Sequence, residues 1–223
     1  MTRRAVTYAS YLQVPELLAL QVERSGGPDG AEHDELLFIV IHQVYELWFK
    51  QLLHEEAELE RRLAAGSVAL ALKTLHRVRT IVKTIVAQID VLETLTPLEF
   101  DSFRERLERA SGFQSAQFRA IEATFAPLLG CLDTLLVARG HSDPEMEQRL
   151  VAAYHTDAPA AQLCEAFVDF DEGLQEWRYR HVKMVERTIG TKPGTGGSDG
   201  AAYLRSTLFK PAFPPLWTIR SRL

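Results

Sequence analysis

The chain has 223 residues and a formal net charge of −5, with 46% hydrophobic and 25% charged residues. This composition is ordinary for a soluble globular protein, and the negative charge gives no reason to expect nucleic acid or an anionic membrane as a partner. No uninterrupted apolar run reaches the roughly 18–20 residues that cross a bilayer, and no apolar signal core follows the basic N-terminus. The two cysteines, Cys131 and Cys164, have no CxxC spacing, so we expect a reduced cytoplasmic protein.

The first 30 residues do not show a long helical pattern, and they end in a Gly-rich loop at 25–30. Tyr8 and Tyr11 are three positions apart, so a helix or turn places them on one face, which Leu12 extends. Such an aromatic segment either folds back on its own core or covers a neighbouring subunit.

Most of the remaining chain shows apolar residues spaced three and four apart, which predicts helices. The predicted helices cover residues 34–65, 68–95, 97–110 and 114–129, a short segment that opens at 142–145, and 158–188. Thr96, Pro97 and Glu99 predict a helix start with a capping box. Because no alternation of period two appears, the predicted fold class is all-α.

His42 lies on the first long predicted helix, on a face with the large aromatic residues Phe38, Tyr45 and Phe49. A histidine there is either a core residue that a nearby polar group satisfies, or a polar contact for a bound ring in an apolar pocket. His42 and Glu46 also have a spacing that suits a non-haem metal, but no His-Glu-x-x-His or Glu-x-x-His motif occurs, which disfavours a dinuclear carboxylate site.

Arg104 and His181 are two further candidate site residues. Arg104 can pair in water with Glu108, four residues on, or it can point inward and bind a substrate carboxylate. His181 has Trp177 one turn before it and Val185 one turn after it. Its setting suits a ligand of haem iron as well as a buried structural histidine.

The chain after residue 192 is rich in glycine and proline. Composition alone does not decide whether this stretch is a linker, a fraying tail or a functional loop.

Four stretches, taken together and in order, resemble the tryptophan 2,3-dioxygenase family. They are Thr7-Tyr-Ala-Ser-Tyr-Leu12, the helix from Glu35 to Lys50, Arg109-Ala-Ser-Gly-Phe-Gln-Ser-Ala-Gln-Phe-Arg119, and Trp177-Arg-Tyr-Arg-His-Val-Lys through Gly194-Thr-Gly-Gly-Ser. They span nearly the whole chain. The resemblance implies a single helical domain, residues 1–223, that encloses haem b and cleaves the indole C2–C3 bond of L-tryptophan with O2, giving N-formylkynurenine.

The resemblance also implies roles for individual residues. His181 would ligate the haem iron, and His42 would hydrogen-bond the indole N–H. Arg104 would bind the substrate carboxylate, with Thr195 near the charged end. The remaining implied contacts are Phe38, Phe100 and Leu107 around the indole, Ser111 and Gly112 against the haem, and Tyr8, Tyr11 and Leu12 at a neighbouring subunit's site. A homotetramer and a lid at 191–200, followed by a tail to 223, are implied as well.

The chain departs from the family pattern in three places. The stretch between Ser115 and Trp177 is several tens of residues shorter than in typical members, Phe100 stands where some members have tyrosine, and Gly-Ser-Asp-Gly stands at 197–200 where Gly-Ser-Ser-Gly is common. Two other functions therefore remain open. One is a related biosynthetic haem oxygenase that acts on a substituted tryptophan or another indole, with an oxindole as one possible product. The other is a non-catalytic haem-binding protein.

Overall fold

The computed structural model describes residues 5–28, 30–197 and 200–223, and within them the regular elements are helical, without any β-strand. The α-helices are α1 (Tyr8–Leu12), α2 (Val14–Leu17), α3 (His33–Ala64), α4 (Val68–Leu92), α5 (Pro97–Arg104), α6 (Ala116–Ala138), α7 (Met146–Thr156), α8 (Ala158–Ile189), α9 (Ala201–Arg205) and α10 (Pro214–Thr218). Short 3₁₀ helices cover Glu105–Leu107, Gly112–Gln114 and Ile219–Arg222. The predicted all-α class is confirmed.

The core lies between the four long helices. Helix α4 packs against α3 and α8, and α3 also packs against α6. The apolar positions spaced three and four apart on these helices face inward, and each fully buried aliphatic or aromatic side chain contributes roughly 1.5–3 kcal/mol. Examples with no more than 1% exposure are Leu52, Leu59, Leu75, Ile85, Leu128 and Phe167. The hydroxyl of Tyr45 donates to the carbonyl of Ile85 at 2.9 Å, which joins α3 to α4 inside this core.

The helix that begins at Pro97 has the predicted capping box, in which Thr96 and Glu99 each bond the other's backbone N–H. Its predicted end near residue 110 is wrong. The α-helix ends at Arg104, a 3₁₀ turn follows, and Glu108 has a positive φ of 49° that no α-helix contains. Arg104 and Glu108 are therefore not neighbours one helical turn apart.

Helix α6 is longer than predicted. It continues past Gly130 to Ala138, although it contains Pro127. Leu128, Leu132 and Leu136 keep the helical spacing and are buried, so burial of this face outweighs the weak helix propensity of glycine.

The C-terminal segment docks on the helical core, which excludes the fraying-tail interpretation for this part of the chain. Phe213, Leu216 and Ile219 are fully buried. The buried carboxylate of Asp171 on α8 accepts hydrogen bonds from the backbone N–H of Phe213 at 3.0 Å and from the indole N–H of Trp217 at 2.8 Å. These bonds satisfy a carboxylate that would otherwise be buried at a high cost.

Helices α3 and α6 are long and apolar enough, by length and average composition, to cross a membrane. Each contributes one face to the core between the long helices, and 22% and 33% of their most apolar stretches are buried within this chain. Helix α3 also carries three buried acidic side chains, Glu35, Glu55 and Glu56. Glu55 pairs with Arg77 of α4, and Glu56 accepts from Thr124 of α6 at 3.2 Å. Such groups suit a helix that packs against protein.

Candidate functional site

His42 lies on α3 with one ring nitrogen already bonded. Its Nδ1 is 2.7 Å from the backbone carbonyl oxygen of Phe38. A carbonyl oxygen only accepts, so Nδ1 carries the proton and donates. Burial is the largest influence on this ring and lowers its pKa, against the Phe38 carbonyl and Glu46, which raise it. At neutral pH the ring is therefore neutral, and its Nε2 is free to accept one hydrogen bond.

His181 lies on α8 and stacks on Trp177, with ring centroids 5.2 Å apart and an interplanar angle of 9°. Burial, and then repulsion from His42 when that ring is protonated, lowers the pKa of His181 to about 4. In the described part of the chain, no residue that forms a hydrogen bond with this imidazole influences its pKa. Helices α3 and α8 thus bring together two histidines that are 139 positions apart in sequence, and His181 presents an unbonded, neutral imidazole.

Aromatic rings line the apolar side of His42. Phe38 lies 4.1 Å from the His42 ring, 5.7 Å from Phe100 and 5.6 Å from Phe103, all between ring centroids. Phe100 and Phe103 meet edge to face at 5.4 Å. Phe103 is completely buried and was not named from the sequence, although its position one turn after Phe100 could have shown it. Leu107, in the 3₁₀ turn that follows α5, packs at the edge of the same core.

Arg104 points toward the Gly-rich segment and away from Glu108. Its Nη2 donates to the carbonyl oxygen of Pro193 at 2.6 Å, and it forms no ion pair with a carboxylate of the described chain. The pairing with Glu108 that the sequence left open is not formed, because the α-helix ends at Arg104. A guanidinium has five N–H donors, so most of those of Arg104 remain for a ligand.

The Gly-rich segment packs against the chain that follows α5. Thr195 donates from its hydroxyl to the carbonyl oxygen of Ala110 at 2.5 Å. A Cβ at Gly196 would lie 2.5 Å from the Cβ of Ser111, so only glycine permits this approach. Ser111 is half-buried here and Gly112 is exposed. Two residues of the implied lid, Ser198 and Asp199, lie outside the described residues, as do residues 1–4 of the N-terminal segment.

The structure does not bring Tyr8, Tyr11 and Leu12 into the pocket of their own chain. Tyr8, Tyr11 and Leu12 lie on α1, which packs mainly on α2, and their exposed fractions are 79%, 73% and 45%. The interpretation in which this segment folds back onto its own core is therefore wrong for these three side chains.

A largely apolar pocket of about 360 Å³ opens beside His42. It lies between α3 and the N-terminal segment, and its lining residues are Leu17, Leu20, His42, Gln43, Glu46, Leu47, Lys50 and Gln117. Gln117 of α6 donates to the carboxylate of Glu46 at 2.8 Å. The carboxylate of Glu46 is therefore hydrogen-bonded to another side chain of the protein. This geometry does not support a non-haem metal site formed by His42 and Glu46.

The donor set suits a porphyrin iron better than a free metal ion. The described residues contain no group of three or more His, Cys, Asp or Glu side chains that could hold an ion. A porphyrin supplies four nitrogen ligands itself and asks the protein for only one axial donor. The neutral imidazole of His181, with no other bonding partner in the described chain, has the chemistry of that donor.

Comparison with known proteins agrees with the resemblance. The family model of tryptophan 2,3-dioxygenase matches residues 1–134 and 147–223. Proteins named tryptophan 2,3-dioxygenase are similar over nearly their full length. The one from Anaeromyxobacter dehalogenans is 53% identical, over 98% of this chain and 97% of the relative. The one from Herpetosiphon aurantiacus is 50% identical over 99% of each chain, and the one from Caulobacter vibrioides is 39% identical over 98% of each chain.

The same comparisons show that this chain is shorter than its relative. The alignment with the Anaeromyxobacter dehalogenans relative extends over 261 positions, whereas this chain has 223 residues, so at least 38 aligned positions have no residue here. The family model leaves 135–146 unmatched, within the stretch between Ser115 and Trp177 that is shorter than in typical members. In the structure α6 ends there in a turn with Gly140 at φ 97°, and Arg139 bonds Asp157 at the start of α8 through two hydrogen bonds of 2.6 and 2.7 Å.

Proposed function

This chain belongs to the tryptophan 2,3-dioxygenase family and is an oxidoreductase, and we propose that it cleaves the indole C2–C3 bond of L-tryptophan with O2, giving N-formylkynurenine. The observation that carries the proposal is the pair of neutral histidines on α3 and α8, beside a wall of phenylalanines. One histidine has a free donor atom for iron, and the other has a free acceptor atom for an indole N–H.

His181 is the proposed axial ligand of haem b. Its neutral imidazole needs no proton removed before it can donate, and stacking on Trp177 fixes the plane of the ring. Ser111, Gly112 and the close approach of Gly196 to Ser111 are proposed to form a wall of the cofactor site, where small residues leave room for a flat ring. When bound, the haem supplies the activation of O2, and the protein supplies binding and orientation.

His42 is proposed to orient the indole. Because Nδ1 donates to the Phe38 carbonyl, Nε2 can accept a hydrogen bond from the indole N–H. Phe38, Phe100 and Leu107 would cover the faces of the ring and exclude water. Positioning of this kind raises the rate without a strong general base, and the lowered pKa of His42 does not suit strong proton abstraction.

Arg104 and Thr195 are proposed to hold the charged end of the amino acid. The planar guanidinium can bind a carboxylate with two parallel hydrogen bonds. Arg104 and Thr195 both contact backbone carbonyls in this structure, at Pro193 and Ala110, and these contacts place the Gly-rich segment beside the guanidinium. We propose that the segment 191–200 is a lid over the substrate, in keeping with loops that order when a ligand binds.

Oxygen uptake with L-tryptophan, together with the mass of the product, tests the function. We expect haem-dependent uptake and a product that carries two added oxygen atoms. A product with one added oxygen would instead assign the chain to oxindole-forming biosynthetic chemistry. Turnover of a substituted tryptophan without turnover of tryptophan would change the substrate, and a haem-loaded protein without oxygen uptake would be a binding protein.

Replacing His42 with alanine should weaken turnover without abolishing it. The substitution removes one neutral hydrogen bond to the indole, which is worth roughly 0.5–1.5 kcal/mol or about 2- to 13-fold. The check is kcat/KM for L-tryptophan and for 1-methyl-tryptophan in both proteins. The methylated substrate has no N–H to donate, so the substitution should lower kcat/KM less for 1-methyl-tryptophan than for L-tryptophan. Complete inactivity with intact haem would show an obligatory acid–base role instead.

We propose a cytoplasmic homo-oligomer, a tetramer as in the family, without nucleic acid or membrane as partner. The exposed aromatic face of α1 supports this, because contiguous exposed apolar side chains mark interfaces. Deleting residues 1–15 should raise the KM for L-tryptophan, since Tyr8, Tyr11 and Leu12 would no longer reach a neighbouring site, while haem content stays unchanged. Light scattering and steady-state kinetics on both proteins test this. A fully active monomer at micromolar concentration, or an unchanged KM after truncation, would refute it.

A further inference from the structure

Two adjacent contacts join the end of α5 to the segment that follows α8. Lys192 places its Nζ 2.5 Å from a carboxylate oxygen of Asp101, and Arg104 donates to the carbonyl of Pro193 at 2.6 Å. Asp101 and Arg104 are three residues apart on α5, and Lys192 precedes Pro193 directly. The ion pair and the hydrogen bond therefore lie side by side across the same junction.

Asp101 is the nearest competitor for Arg104 along the helix. Side chains three residues apart on an α-helix are neighbours, with Cβ atoms about 5–6 Å apart, so an aspartate can reach an arginine at this spacing. In the structure it does not do so. The carboxylate of Asp101 pairs with Lys192, and Arg104 contacts a neutral carbonyl. Lys192 thus neutralises the carboxylate that would otherwise compete for the guanidinium.

The exposure of this ion pair argues against a role in holding the fold together. The side chain of Lys192 is 50% exposed and that of Asp101 is 37% exposed. Pairs this open to water contribute little to folding stability. The effect of the pair is local, because Lys192 offsets the negative charge of Asp101 beside Arg104.

We propose that Lys192 is a positioning residue that keeps Arg104 available for the carboxylate of an amino-acid substrate by neutralising Asp101. The inference rests on the proposed function, since it takes a carboxylate-bearing indole as the ligand of Arg104. Without Lys192, the unpaired carboxylate of Asp101 would attract the guanidinium and would also repel the substrate carboxylate. Both effects weaken substrate binding, and neither needs a change in the chemistry at the indole ring.

The test compares four haem-loaded proteins: wild type, Lys192→Met, Asp101→Asn and the double variant Asp101→Asn/Lys192→Met. Lys192→Met should raise the KM for L-tryptophan roughly 3- to 10-fold, the size expected for one unit charge about 4 Å from another when water screens both, as it does for an exposed pair, with kcat little changed. The double variant should return the KM to within about twofold of wild type, because the competing carboxylate is gone. Asp101→Asn alone should leave the KM at or below the wild-type value.

Two controls distinguish the neutralisation of Asp101 by Lys192 from two other effects of the substitution, the loss of a contact that holds the segment in place and the loss of one positive charge from the protein. Inhibition by 3-methylindole, which has no carboxylate, should be the same in all four proteins. Lys73→Met removes one exposed lysine charge on α4 and should leave the KM unchanged. An unchanged KM in Lys192→Met would refute the inference, and so would a double variant as weak as Lys192→Met, which would show that Lys192 acts as a tether or through its own charge. Wild-type turnover of L-tryptophan is measured first, because its absence would refute the proposed function and with it this inference.

Discussion

Replacing His181 with alanine should produce a protein that purifies without stoichiometric haem and has no dioxygenase activity. The substitution removes the one imidazole in the site that has no hydrogen-bonding partner in the described chain and is neutral at pH 7. A porphyrin iron without its axial protein ligand is held only by contacts of the porphyrin ring. Haem content, measured from the absorbance spectrum per mole of protein, is the check.

Two controls keep this result interpretable. His76 is exposed on α4, so His76→Ala should bind haem as wild type does. Alanine at 181 also leaves a space beside Trp177, and imidazole added during reconstitution should restore part of the haem binding by filling it. Normal haem content and a normal spectrum in His181→Ala would exclude His181 as the ligand. A loss of helical content by circular dichroism would instead attribute the change to folding.

Replacing Arg104 with leucine should weaken the binding of L-tryptophan by roughly 2 to 5 kcal/mol, which lowers kcat/KM about 30- to 5,000-fold. The lower end is expected, because the guanidinium is half-buried and already bonds the Pro193 carbonyl. Inhibition by 3-methylindole should change little, since that ligand has no carboxylate. The comparison of these two indoles isolates recognition of the charged end from binding of the ring.

Matched variants sharpen the Arg104 test. Arg104→Lys keeps the positive charge but loses the planar fork, so it should recover only part of the affinity. Arg106→Leu removes an exposed arginine two residues further along and should have no effect on KM. An equal loss of affinity for tryptophan and for 3-methylindole in Arg104→Leu would mean that the residue shapes the pocket and does not bind a carboxylate.

The stretch that the family model leaves unmatched, 135–146, contains none of the proposed site residues. His42, Arg104 and Ser111 come before the unmatched stretch 135–146, and His181 and Thr195 come after it. Helix α6 closes this region with the turn at Gly140 and the Arg139–Asp157 pair, which gives a short route into α7 and α8. Helices α3 and α8 both pack on α4, away from this connection.

The amino-acid pattern alone predicts the helical class, the long helices and the family. Apolar residues spaced three and four apart predict α3, α4 and α8 within a few residues, and the capping box at Thr96 predicts the start of α5, because these signals are local. Motifs in four separate stretches were enough to indicate the family, which the comparisons confirm. The individual site residues remain predictions, and the variants described above test them.

The contact partners of those residues depend on how distant segments of the chain pack together. The contact of Arg104 with Pro193, the pairing of Lys192 with Asp101 and the docking of Phe213 and Trp217 on Asp171 each join positions at least 42 residues apart. Helical periodicity says which face of a helix is apolar, but it does not say which distant segment covers that face. The pKa of His181 depends in the same way on burial between packed helices and on the proximity of His42, which repels a second proton when it is itself protonated. Both arise only when α3 and α8 come together.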